Sequence, residues 1–270
     1  MLSSTNPSLV ERMVSLPAGR QGVQKGLNIE TALNSKWLSV QHIVKIVVNS
    51  RPSLLYYLIS MVSKPKHIAI AGNIGSGKTT LAEKLAKQFG WLPLYESVEH
   101  NPYLRDFYDD MTRWAFHLQI YFLNSRFNQV RQIRESDRTT IQDRTIYEDA
   151  HIFAANLHSS GHINQRDYQS YLDIFNSMIN FVQPPDLLIY LRADIPKLVQ
   201  QIQKRNRDFE FNIKLEYLKT LNEHYEKWIS NYKHGKLLII DVNKLDFVTN
   251  IEDFSTIVGR VDLELNSLFG

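Results

Sequence analysis

From Lys66 onward the chain alternates between short apolar runs and longer stretches with apolar residues at every third or fourth position. His67–Ala71, Leu92–Tyr95, Thr139–Gln142, Leu187–Leu191 and Lys236–Ile240 read as strands. Between them, Lys78–Phe89, Met111–Arg134, Tyr147–Leu157, Tyr168–Phe181 and 213–232 read as helices, with a further helix opened by Pro196 and a last one closing the chain. Pro184-Pro185 introduces Leu187–Leu191, whose unbroken apolar run suits a strand covered on both faces. Strands separated by helices imply a parallel sheet with helices on both sides. Ligands on such sheets bind beyond the carboxyl ends of the strands, so the residues that carry chemistry are expected to follow strands.

Residues 1–63 break this pattern. The first 35 scatter Ser, Asn, Gly and Pro among isolated apolar residues, and read as poorly ordered. Trp37, Val40, Val44 and Val47 then recur at helical spacing, and Pro52 separates them from Leu54–Met61, giving two short amphipathic helices. The boundary divides the chain into an N-terminal extension, 1–63, and a catalytic domain, 64–270. Three readings of the extension stand: a dispensable arm or upstream-translated segment before Met61, a targeting presequence, or a helix that meets a partner or a membrane surface.

Charge sharpens the division. The net charge of +3 conceals seven Lys/Arg against Glu11 and Glu30 in residues 1–64, which leaves 24 Lys/Arg against 26 Asp/Glu in the remainder. A slightly acidic catalytic region argues against a nucleic-acid surface, which needs a concentrated basic patch. Cysteine is absent, excluding disulfides and thiolate metal sites. No apolar stretch approaches the roughly 20 residues of a membrane span. No charged segment leads into an apolar one near Met1, so no secretory signal is expected, and the chain reads as cytoplasmic.

The strongest chemical signal follows the first strand. Gly72-Asn73-Ile74-Gly75-Ser76-Gly77-Lys78-Thr79 satisfies G-x-x-x-x-G-K-[ST] at every position, between a strand and an amphipathic helix. In such a loop successive N–H groups point at phosphate oxygens, Lys78 reaches the β- and γ-phosphates, and Thr79 holds Mg²⁺. The motif alone marks nucleotide binding and leaves kinase, GTPase, ATPase motor and sensor open. Together with the carboxylates and the basic segment that follow the other strands, the fold expected is α/β, a P-loop kinase fold with a five-stranded parallel sheet, helices on both faces and a short lid. ATP and Mg²⁺ are the implied cofactors. Asn243-Lys244-Leu245-Asp246 spells a guanine-reading pattern, but no Asp-x-x-Gly switch accompanies it, so a GTPase is set aside and the segment reads as a loop beside the nucleotide base.

Further candidates follow the other strands. Glu96 ends the second strand, where a carboxylate can take the proton of an attacking hydroxyl; a strand-end salt bridge is the alternative. Asp143-Arg144-Thr145 closes the third, an acid able to hold Mg²⁺ beside an arginine able to stabilise transferring charge; a structural Asp–Arg pair is the alternative. Lys204-Arg205-Asn206-Arg207 suits a lid over ATP phosphates, though a solvated basic face has the same composition.

Taken together, residues 66–265 resemble the deoxyribonucleoside kinases, especially the bacterial deoxyadenosine/deoxyguanosine kinase branch. Glu96-Ser97-Val98 is similar to the family's Glu-Pro-Val segment, which implies the general-base role for Glu96. The resemblance implies that Gln119 and Arg126 bind the nucleobase, with Asp149 and Phe153 reading and stacking on it. Tyr108 and Glu210 fall where the family binds the deoxyribose 3′-hydroxyl. Arg205 and Arg207 resemble the lid arginines, Thr80 extends the phosphate loop, and Asp246-Phe247 resembles the loop beside the adenine. Ser97 departs from the usual Pro, Asn206 from the Gly often found between the lid arginines, and Gln201 from an Arg. The activity implied is transfer of the ATP γ-phosphoryl group to the 5′-hydroxyl of a deoxynucleoside, purine preferred, by a homodimer with no nucleic-acid or membrane partner. The rivals are a nucleoside-monophosphate kinase of the thymidylate type, with Arg105 and Arg113 available for an acceptor phosphate, and a non-catalytic nucleotide-binding regulator.

Overall fold

Five strands lie parallel in one sheet: β1 (His67–Gly72), β2 (Leu92–Leu94), β3 (Thr140–Asp143), β4 (Leu187–Arg192) and β5 (Lys236–Asp241). Their order is β2-β3-β1-β4-β5, with β1 in the centre. The computed structural model describes residues 65–96, 101–207, 210 and 213–266. The chain divides after Ser63, and every described residue belongs to the second unit, Lys64–Gly270. The helices expected in 36–62, and Ser97, lie outside the described residues.

Strand β1 shows why the sheet is buried. Ile68 and Ile70 point to one face, where they join Leu81 and Leu85 of α1 (Lys78–Phe89), Ile189 and Leu191 of β4, and Ile257 and Val261 of α9 (Ile251–Asn266). Ala69 and Ala71 point to the other, against a layer containing Leu118 of α3 (Met111–Glu135), Tyr190 of β4, and Leu221 and Tyr225 of α8 (Leu215–Ser230). The period of two along the strand thus supplies both cores. A third cluster joins Leu123 of α3 to Tyr171 and Phe175 of α6 (Gln165–Ile179) through Ile146, Tyr147 and Ala150.

The remaining elements are α2 (Leu104–Asp109), the broken helical run α4 (Ile146–Glu148) and α5 (Ala155–Ser159), and α7 (Ile195–Arg205). Between α4 and α5 the backbone forms a π-helical segment, Asp149–Ala154. Among the described residues no helix is long and apolar enough to cross a membrane.

Registers bring the strand ends level. Ile70 pairs with Asp143 and with Ile189, and Gly72 with Leu191. The chain therefore leaves β1, β2 and β3 at one edge, and the residues singled out after those strands meet there.

Candidate active site

The phosphate loop is held from beneath. Gly72, Gly75 and Gly77 adopt φ of +152°, +85° and +93°, a region that side chains other than glycine occupy only with strain. Asn73 anchors the loop to α8 by donating to Leu218 O at 3.0 Å and to Asn222 Oδ1 at 3.1 Å, while its own Oδ1 accepts from Ile74 N. Lys78 folds back so that Nζ donates to Asn73 O at 3.0 Å. Burial, and then the charge of Arg144, bring its ammonium down to about 8, against the pull of Asp143, Glu96 and Glu148. Phosphate oxygens in the loop would supply the counter-charge that this lysine lacks.

Strand β3 ends on Asp143, whose Oδ2 accepts from Thr79 Oγ1 at 2.5 Å. Its second oxygen, Oδ1, is buried with no protein hydrogen-bond donor. Two hard oxygens side by side at the phosphate loop, one with open lone pairs, fit Mg²⁺, which takes one or two protein oxygens and completes its shell with phosphates and water.

Glu96 follows β2, and α3 positions it. Gln129 donates to Tyr95 O at 2.6 Å, and Arg126 spans the ends of β2 and β3 with bonds to Glu96 Oε1 at 3.2 Å and Asp143 O at 2.9 Å. Arg144 Nε contacts the same Oε1 at 3.0 Å, leaving Oε2 outside both pairs. Burial alone would raise this carboxyl; Arg144, Arg126, Lys78 and Arg205 outweigh it and hold Glu96 below the ordinary glutamate range. Glu96 is thus ionised at neutral pH and shares the cleft with Lys78 and Thr79.

That cleft, about 790 Å³, collects most of the residues expected from sequence: Lys78, Thr79, Thr80, Glu96, Tyr108, Gln119, Arg144, Asp149, Phe153, Arg205, Arg207 and Glu210. Gln119 and Arg126 lie on one buried stripe of α3, seven residues and two turns apart. Gln119 Oε1 is buried without a donor, an acceptor that a ligand amino group would satisfy. Arg126 Nε pairs with Asp149 at 3.3 Å, and burial pushes the Asp149 carboxyl up to about 6 against the pull of Arg126 and Arg144. Arg144 in turn stacks over the Phe153 ring, 4.2 Å from its centroid.

Glu210 pairs with the arginines at the carboxyl end of α7. It accepts from Arg205 through both oxygens and lies 3.7 Å from Arg207 Nη1. Gln201 and Lys204 also line the cleft beside these arginines. Asp246 and Phe247 support the site without lining it. Asp246 caps the following turn through Val248 N and Thr249, while Phe247 is buried with its ring under Gly77; Val248 is the cleft residue of that loop.

Glu148, Tyr225, Gln129 and Tyr217 belong to none of the site motifs legible in the sequence. A signal existed for the first, since Thr145-Ile146-Tyr147-Glu148 has the spacing of a capping box, which the structure forms. Tyr217 lines the cleft, and Gln129 orients Arg126 by accepting from its Nη1 at 3.1 Å.

A parallel sheet of order 2-3-1-4-5, a phosphate loop after its central strand, and a carboxylate with arginines facing that loop define a P-loop phosphotransferase. The family model for deoxynucleoside kinases matches residues 68–265, and the chain belongs to that family. It is 44% identical over 182 residues to a deoxyadenosine kinase of Dictyostelium discoideum, covering 67% of this chain and 74% of that one. It is 37% identical over 202 residues to a deoxyadenosine/deoxycytidine kinase of Bacillus subtilis, covering 74% and 93%. Its fold matches that of the deoxyadenosine kinase from M. mycoides solved with bound dATP, at a TM-score of 0.66 and 31% identity over 73% of this chain and 99% of the other. The chain is therefore a deoxynucleoside kinase, and neither the thymidylate-type reading nor the non-catalytic one stands.

Proposed function

We propose that the enzyme transfers the γ-phosphoryl group of ATP to the 5′-hydroxyl of a purine deoxynucleoside, with Glu96 as the general base. The observation that carries this reading is the Glu96 carboxylate, ionised by its arginines and set in one cleft with Lys78 and Thr79. In the step proposed, the 5′-oxygen bonds to phosphorus as the bond to the ADP oxygen breaks, and the hydroxyl proton passes to Glu96. Lys78, Arg144, Arg205 and Arg207 stabilise charge on the transferring group. Thr79 and Asp143 would hold Mg²⁺, which supplies neutralisation of the phosphate oxygens when bound.

On the acceptor side, Gln119, Arg126, Asp149 and Phe153 would read and stack on the base, and Tyr108 and Glu210 would take the 3′-hydroxyl. The purine preference draws on relatives named deoxyadenosine and deoxyguanosine kinases, including deoxyguanosine kinases of Bacillus subtilis and Lactobacillus acidophilus. A homodimer acting in the cytoplasm, with catalysis confined to 64–270, completes the reading.

Glu96→Gln is expected to lower kcat by ~10²–10⁴-fold, with the affinity for ATP, measured by calorimetry, nearly unchanged. Near-normal turnover would remove Glu96 from the base role. A panel of four deoxynucleosides should give the highest kcat/KM with deoxyadenosine or deoxyguanosine; a higher value for a pyrimidine would overturn the preference.

A further inference from the structure

Glu148 is fully buried and takes no part in lining the cleft. A carboxylate held away from water persists only where donors satisfy it. Here they come from three separate segments. Thr145 donates to Oε2 through its N–H at 2.7 Å and its hydroxyl at 3.1 Å. Tyr225 OH, on α8, donates to Oε1 at 2.8 Å, and Gly72 N makes a longer contact to the same oxygen at 3.4 Å. Gly72 opens the phosphate loop, and Thr145 directly follows Arg144.

Tyr225 closes the circuit. While its hydroxyl donates to Glu148, its oxygen accepts from Arg144 Nη1 at 3.2 Å. A guanidinium, a phenol and a carboxylate thus stand in line, and the arginine's other edge, Nε, contacts Glu96. Arg144 has φ of +73°, unfavourable for any residue with a side chain, and its N–H donates to Ile70 O at 2.9 Å. The backbone is therefore gripped from β1 on one side and through Thr145 on the other, and the guanidinium from Tyr225.

We infer that Glu148 and Tyr225 are positioning residues for phosphoryl transfer: the carboxylate, acting through the phenol and through Thr145, fixes Arg144 against Glu96 and the phosphate loop. The inference rests on the proposed catalytic roles of Glu96 and Arg144. Ring packing alone does not account for the pair. Tyr225 stacks on Tyr190 at 5.8 Å and meets the Phe153 ring edge-on at 6.4 Å, contacts that phenylalanine would keep. The hydroxyl is what joins Glu148 to Arg144.

The test uses the full chain and radiolabelled deoxyadenosine, with kcat, both KM values and Tm measured for Tyr225→Phe, Glu148→Gln, Arg144→Ala and Arg144→Ala/Tyr225→Phe. Tyr225→Phe and Glu148→Gln should each lower kcat about tenfold or more, with both KM values within about threefold of the starting enzyme. In the Arg144→Ala background, Tyr225→Phe should cost less than about twofold further, because the group it positions is already gone. Turnover of Tyr225→Phe within about twofold of the starting enzyme overturns the inference. So does a loss of the same size in the Arg144→Ala background, which marks a role in folding alone. If Glu148→Gln does not fold, Tyr225→Phe decides by itself. Full activity in Arg144→Ala would instead strike at the catalytic reading, a different failure read from a different variant.

Discussion

Asp149 is a carboxyl with almost no contact with water, and it titrates where enzymes are ordinarily assayed. Burial raises it to about 6, and Glu96 and Glu148 add to the rise, while Arg126 and Arg144 pull it down without cancelling it. Above that pH it is ionised and can hold Arg126 by charge; below it the proton weakens the pair. We expect kcat/KM for the deoxynucleoside to fall as the pH drops through about 6, with the KM for ATP unaffected. In Asp149→Asn that limb should disappear. An identical limb in the variant would assign the titration to another group. The same raised value sets the sign for stability: the folded protein binds this proton more tightly than the unfolded chain, so the contribution is full below the ordinary aspartate range and is lost as the pH rises through about 6. Glu96 was legible from the sequence itself, as a carboxylate directly after a strand, whereas Arg126, in the middle of α3, and Asp149 were reached only through the resemblance to the deoxynucleoside kinases. Glu148 was reached by neither route, although its capping-box spacing was present. The sequence shows that it can cap Thr145, not that its other oxygen meets a tyrosine 77 positions further on.

Among the elements, the helix expected over Tyr147–Leu157 exists, but its hydrogen-bonding pattern widens to π over Asp149–Ala154. Apolar periodicity is blind to this, since Ile152 and Ala154 are buried there as they would be in an unbroken helix. The widened turn carries both Asp149 and Phe153, in keeping with the recurrence of such turns at functional sites. Strand β3 runs one residue later than expected, Thr140–Asp143, because the backbone of Asp143 still pairs with Ile70 of β1 and the next N–H, that of Arg144, donates to Ile70 O. Asn206, which departs from a glycine expected between the lid arginines, sits at φ +54° as the cap of α7. Asparagine tolerates that conformation better than other side chains, so it can end α7 in the left-handed turn that a glycine there would also adopt. The phosphate loop has less latitude. A Cβ on Gly77 would lie 2.9 Å from Phe247 Cζ, and its φ of +93° is unfavourable for alanine regardless of space. Gly77→Ala should therefore destabilise the fold by roughly 1–3 kcal/mol, seen as a lower Tm, and raise the KM for ATP. A variant with the Tm and KM of the starting enzyme would mean that the loop and Phe247 can separate freely.

For the whole molecule, strand–helix alternation was enough to imply a parallel sheet, but nothing in the apolar pattern orders its strands. The order that places β3 between β2 and β1 is what brings Glu96 and Asp143 to one edge, and long-range pairing alone decides it. The proposed dimer is a question of the same scale. Helices α3 and α6 share one cluster, in which Leu123 of α3 meets Tyr171 and Phe175 of α6. Beyond that cluster Ile174 is 39% exposed and Phe181 63%, and Arg134 donates to Phe181 O, tying the end of one helix to the segment after the other. Large apolar side chains left in water along one helix and the segment that follows it are what a self-complementary interface would cover. Ile174→Glu/Phe181→Asp should therefore shift the mass measured by light scattering from dimer to monomer, in the full chain and in a chain starting at Lys64 alike. Lys78, Thr79, Arg205 and Arg207 all reach the cleft from 64–270 of one chain, so the monomer should keep its KM for ATP, and the shorter chain should keep its turnover. A double variant that remains dimeric would move the interface to another face, and loss of turnover on removing 1–63 would give that segment a part in catalysis.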